Sequence, residues 1–179
     1  MTGPDEGVSP MGRYAGGSSS TDRVVTVHLL GTPLRLLAAG REWHDSVLAE
    51  FRSRALSPQP TGVAVPPRLA ELTEVLGVRY AQAAARPDAE VDAALDAGEL
   101  RRDLVYRVPV GAAEAARTLD ELLVEADRLC AAGLLLTPPR PPVLVRFAGW
   151  YVEQFRRQCS GEPPQPWDGP LELTGQEPG

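Results

Sequence analysis

Hydrophobic residues alternate with polar ones in two short stretches and recur at helical spacing in five longer ones. Val24-Val25-Thr26-Val27-His28-Leu29-Leu30 is β-branched and half alternating, which predicts a strand. Gly31-Thr32 reads as a turn into Pro33-Leu34-Arg35-Leu36-Leu37, a second strand piece. In that register Leu29 faces Leu34 and Val27 faces Leu36, while His28 meets Arg35 on the other face. Pro33 has no N–H to close a tight turn, so the turn is open or the second piece lies at an edge. Over residues 103–108, Leu104, Tyr106 and Val108 alternate with Val105 and Arg107 as a third strand that Pro109 ends.

Residues 41–56 carry Trp43, Val47, Phe51 and Ala55 at i, i+4, i+8 and i+12, a helical stripe that Leu48 widens. A Pro/Gly/Ser-rich loop, 57–66, precedes a second helix that opens on Pro67 and uses Leu69, Leu72, Leu76, Tyr80 and Ala83. Asp88 caps a short third helix with Val91 and Leu95 inside, and Gly98 stops it. The fourth and longest, about 111–132, puts Ala116, Leu119, Leu122, Leu123, Ala126, Leu129 and Cys130 on one side, with Gly133 as its stop. The fifth, about 141–159, holds Phe147, Trp150, Tyr151 and Phe155.

These elements predict an α+β domain of about five helices packed on a small two- or three-stranded sheet, spanning residues 23–159. Residues 1–22 are Gly/Ser/Pro-rich with few large apolar side chains, and read as a disordered tail. Residues 160–179 hold five prolines, four acids and no base, and read as a disordered acidic tail, with Trp167 the one side chain at odds with that reading.

Composition removes several function classes. The chain has no lysine, asparagine or isoleucine, and all 18 basic residues are arginine. Loss of residues with A/T-rich codons points to a GC-rich genome, so the arginine content says little about phosphate binding. Schiff-base chemistry, a P-loop lysine and an asparagine-bearing kinase ATP site are all excluded. The net charge of −6 comes mostly from the ends, since residues 24–159 carry 17 acids against 16 arginines. No basic footprint for nucleic acid is present. Two widely spaced cysteines, Cys130 and Cys159, form neither a zinc motif nor a disulfide framework. With no signal-peptide pattern and no long apolar run, the expected location is the cytoplasm, away from the membrane.

No catalytic, cofactor or metal site is expected. His28 and His44 are the only histidines, and neither has a partner at helical i+4 spacing. The acids Glu114, Asp120, Glu121, Glu125 and Asp127 scatter round the long helix with Arg117 and Arg128 between them, which describes a solvated face. Motifs for dinucleotides, phosphates, serine hydrolysis and zinc proteolysis are absent. The aromatic stripe of the last helix reads first as core. Its functional reading is an anchor for a protein partner with an acidic surface, carried by Trp150 and Arg157 with Arg146 and Arg156.

Several blocks together carry a resemblance. They are Val27 to Leu34, Glu42 to Phe51, Pro67-Arg68-Leu69, Asp103 to Pro109, Leu122 to Cys130, and Arg146-Phe147-Ala148-Gly149-Trp150-Tyr151 with Glu153-Gln154-Phe155. The chain resembles an uncharacterised family of small actinobacterial proteins that accompany STAS-domain antagonists and serine kinases of the anti-sigma-factor type. The resemblance implies a place in a partner-switching pathway, with a STAS-domain or serine-kinase regulator as partner. The leading expectation is therefore a non-enzymatic cytoplasmic regulatory protein. The alternative is a small-molecule sensor or minor enzyme with a cleft near His28 and Arg35.

Overall fold

The computed structural model describes residues 23–55 and 89–173. β1 (Val24–Pro33) leads directly into α1 (Leu34–Ala55), and a short helix α2 (89–96) precedes β2 (Arg101–Pro109). α3 (Ala112–Ala131) and α4 (Pro142–Cys159) follow, after which residues 160–173 run on as an irregular strap. The architecture is α+β, with four described helices and a two-stranded antiparallel sheet. The helix expected after Pro67, the loop before it and the tail over 1–22 lie outside the described residues.

The sheet differs from the hairpin expected at the sequence level. β1 pairs with β2, placing Val27 opposite Tyr106 and Leu29 opposite Leu104. Its strand runs through Gly31 with a register shift between Leu29 and Thr32, and Pro33 lies opposite Arg101 as its last residue. Leu34, Leu36 and Leu37, expected in a second strand, are buried in the first turns of α1 instead. A short apolar run fits period 2 and period 3.6 equally well, and here the stripe of Trp43, Val47 and Phe51 extends backwards to claim it. His28 and Arg35 therefore do not meet across a hairpin.

Gly31 makes the bulge possible. Its φ is +65°, and its N–H donates to Asp103 Oδ1 at 2.6 Å. A Cβ there meets no atom within 4 Å, so substitution costs backbone strain alone. Gly31→Ala is expected to destabilise the fold by ~1–2 kcal/mol, read from the urea midpoint. An unchanged midpoint would show that the bulge relaxes freely.

Alternation puts Val27, Leu29, Leu104, Tyr106 and Val108 on one face of the sheet, and all five are buried. The helices cover that face, with α4 packed on β1, α3 and α1. α2, α3 and α4 end alike, each with a positive-φ glycine just past its C-cap: Gly98, Gly133 and Gly161. After α3, Gly133 N–H donates to Cys130 C=O and Leu134 N–H to Leu129 C=O, and after α4 Gly161 and Glu162 do the same to Gln158 and Arg157. This paired pattern satisfies two of the carbonyls left free at the end of each of these helices. None of the described helices is long and apolar enough to cross a membrane.

Candidate functional site

Pro142 occupies the first turn of α4, where a missing N–H costs nothing, and the aromatic stripe begins one turn later. Phe147 and Phe155 are buried while Trp150 and Tyr151 are half-buried, so the stripe divides between core and rim. Tyr151 and Phe155 face the sheet, meeting the Tyr106 ring at 6.3 and 5.7 Å between centroids. Phe147 and Trp150 stack at 5.7 Å and turn towards the strap.

The strap occupies the surface that the partner-anchor reading of the stripe would leave open. Trp167 is buried, edge-on to Phe147 and Trp150, with both centroid separations at 5.6 Å. Its main-chain N–H donates to Leu30 C=O at 3.0 Å, on the edge of β1 away from β2. Gln165 N–H donates to Gln154 Oε1 at 2.8 Å, and Trp150 Nε1 donates to Gln165 C=O at 3.1 Å. Residues 160–173 are thus docked, which corrects their expected disorder. One buried indole and hydrogen bonds to the strap's main chain provide what a proline-rich composition does not suggest.

All four expected contact residues are engaged by the chain itself. Trp150 lies under the strap. Arg146 pairs with Asp168 at 2.8 Å and sits 5.2 Å over the Trp167 ring. Arg157 binds Glu162 at 2.9 Å and donates to Pro163 C=O, while Arg156 pairs with Glu153 at 2.6 Å and lies 3.6 Å from Glu162. Arg146 and Arg156 still keep 56% and 53% of their side-chain surface exposed, each beside the acid it pairs with. Sequence reasoning missed Gln154, Gln158, Asp168 and Gly169. Gln158 brackets the edge of β1, its amide accepting from His28 N–H and donating to His28 C=O, both at 2.8 Å. The His28 side chain is exposed, and Arg35 pairs with Glu172 of the strap at 2.7 Å.

A second cluster sits where the α3–α4 connection crosses α1. Arg140 is almost wholly buried and donates to Asp127 twice, from its backbone N–H at 2.8 Å and from Nε at 2.7 Å. Its guanidinium lies 5.0 Å over Trp43, whose Nε1 donates to Pro138 C=O at 2.7 Å. Glu50 accepts from the backbone N–H groups of Leu136 and Thr137. Two buried nitrogens, Arg140 Nη2 and His44 Nε2, have no partner among the described residues.

Burial lowers the His44 pKa, Asp45 opposes the shift, and the charges of Arg52 and Arg140 add to it. A native-state pKa below the unfolded value of about 6.5 means the unfolded chain takes up the proton first. Stability is then lost as pH falls through about 6.5. His44→Gln is expected to flatten the loss between pH 7 and 5 relative to wild type, read from paired melting curves. Parallel curves would show that His44 titrates normally.

Reactive chemistry is not prominent. Burial raises the thiol pKa of both Cys130 and Cys159, so neither is a thiolate at neutral pH. Among the described residues, no three His, Cys, Asp or Glu side chains are grouped to hold a metal ion. The geometry defines a small α+β domain whose most elaborated surface holds a segment of polypeptide. No protein-family model, curated protein or solved structure matches the chain.

Proposed function

We propose that this chain is a non-enzymatic, cytoplasmic regulatory protein that acts by binding a protein partner through the aromatic face of α4. One observation carries the reading: that face already holds peptide by the means interfaces use. A tryptophan is buried at its centre, main-chain hydrogen bonds fix the segment, and charged pairs lie at the rim. Arg146 and Arg156 suit a partner with an acidic surface. The resemblance to a family that accompanies STAS-domain antagonists and serine kinases supports a partner-switching pathway, with one of those regulators as the partner.

The test compares the full chain with an Arg146→Glu/Arg156→Glu variant as baits in native lysate. Both side chains are more than half exposed and their pairs lie at the surface, so the variant should stay folded with a modestly lower melting temperature. A STAS-domain or kinase regulator should be retained by wild type and lost by the variant. Equal retention by both baits would place the interface elsewhere.

A further inference from the structure

Resting on that reading, we propose that the groove between α4 and the free edge of β1 recognises a tryptophan-bearing, acidic segment of the partner. Residues 163–170 of this chain are its built-in occupant and give way when the partner binds. The groove is assembled from Phe147 and Trp150, the Leu30 carbonyl, the Gln154 amide and the Arg146 guanidinium. The two rings meet Trp167 edge-on, the two oxygens accept from strap main-chain N–H groups, and the guanidinium pairs with Asp168.

The occupant carries a compact recognition unit. Trp167 Nε1 donates to Pro170 C=O at 2.8 Å, so the indole folds back over its own turn. A Cβ on Gly169 would stand 2.3 Å from Trp167 Cζ2, so only glycine allows this turn to close. Pro164 and Pro166 flank Gln165 and restrict φ, lowering the entropy lost on docking. Trp-Asp-Gly-Pro is thus a preformed tryptophan knob, and the Asp beside it finds Arg146.

Two observations mark the strap as a displaceable ligand. The first lies beneath it: Gln154 is fully buried, its Oε1 accepts from Gln165, and its Nε2 has no partner among the described residues. A buried donor left unpaired is costly, so the strap is an imperfect match. A partner segment that also places an acceptor at Nε2 gains what the strap forgoes. The second lies at the rim, where the latches are exposed ion pairs. Arg146–Asp168 keeps 56% and 83% side-chain exposure and Arg35–Glu172 keeps 58% and 44%. Such pairs contribute little and weaken with salt. Because the groove is free only when the strap lifts, apparent affinity for a partner scales with the open fraction.

The probe is a fluorescein-labelled peptide of residues 163–172, titrated against the full chain by anisotropy. Wild type should bind it weakly. Trp167→Ala, which empties the groove, should bind at least ~10-fold more tightly. Asp168→Ala/Glu172→Ala, which loosens only exposed contacts, should bind ~3-fold more tightly and keeps the test valid if Trp167→Ala fails to fold. A peptide with Ala in place of its Trp should not bind. Equal affinity for wild type and the loosened variant, no binding to either variant, or unchanged binding of the Ala peptide would each overturn the proposal. The assay contains no cellular partner, so it separates the two readings. Peptide binding without a regulator retained from lysate removes the proposed function and leaves the groove. Retention without peptide binding does the reverse.

Discussion

Asp127→Ala is expected to destabilise the fold by ~3–5 kcal/mol, lowering the melting temperature by roughly 10 °C for a chain of this size. The reason lies with what remains. Arg140 keeps only 3% of its side-chain surface exposed, so its guanidinium cannot turn to water when the carboxylate is removed. Its Nη2 is already without a partner among the described residues, and the backbone N–H of Arg140 loses its acceptor as well. A buried charge left alone costs far more than the intact pair contributes. The control follows from the same reasoning: Asp127→Leu/Arg140→Met removes both charges while keeping volume and should recover most of the loss. A loss under ~1 kcal/mol for Asp127→Ala would show the site to be wetter than its burial implies.

Ending the chain at Ser160 is expected to have an effect of similar size, ~3–5 kcal/mol, the range for losing a large buried aromatic. Trp167 leaves, the Phe147 and Trp150 rings are uncovered, and Leu30 C=O loses the donor that caps it on the free edge of β1. The composition of residues 160–179 predicts the opposite, that their removal changes nothing. Guanidinium unfolding of the full and shortened chains decides between the two, and coincident curves would mean that the strap is not docked in solution. Exposing a strand edge and two aromatic rings together should also make the shortened chain more prone to associate.

Much of the scaffold is legible in the residues. α3 and α4 fall within a residue or two of the spans that their periodicity predicts, and Gly98 and Gly133 stop helices as expected. β2 follows from the alternation of Leu104, Tyr106 and Val108. The candidate site is only half legible. Its helix, its aromatic stripe and its arginines stand out, yet what meets them does not. Gln154 and Gln158 look like ordinary polar positions on a helix. They become important only because α4 passes close enough to β1 and to the strap for their amides to bond to backbone.

The sequence by itself determined where most elements begin and end, because periodicity, proline and glycine act within a few residues along the chain. It also determined which chemistries lysine and asparagine cannot serve here, since that depends on inventory alone. Tertiary structure decided the rest. Leu34 to Leu37 became helix because the stripe behind them had a core to meet, and β1 took as its partner a strand far along the chain, Val24 opposite Pro109 and Pro33 opposite Arg101, instead of its neighbour. The strap is ordered for the same reason: its own residues offer one tryptophan and a tight turn, and only the groove built by α4 and β1 gives that tryptophan somewhere to be buried. Local signals fix local geometry. Whether a polar, proline-rich segment docks depends on a surface assembled from distant residues, and no window of sequence contains it.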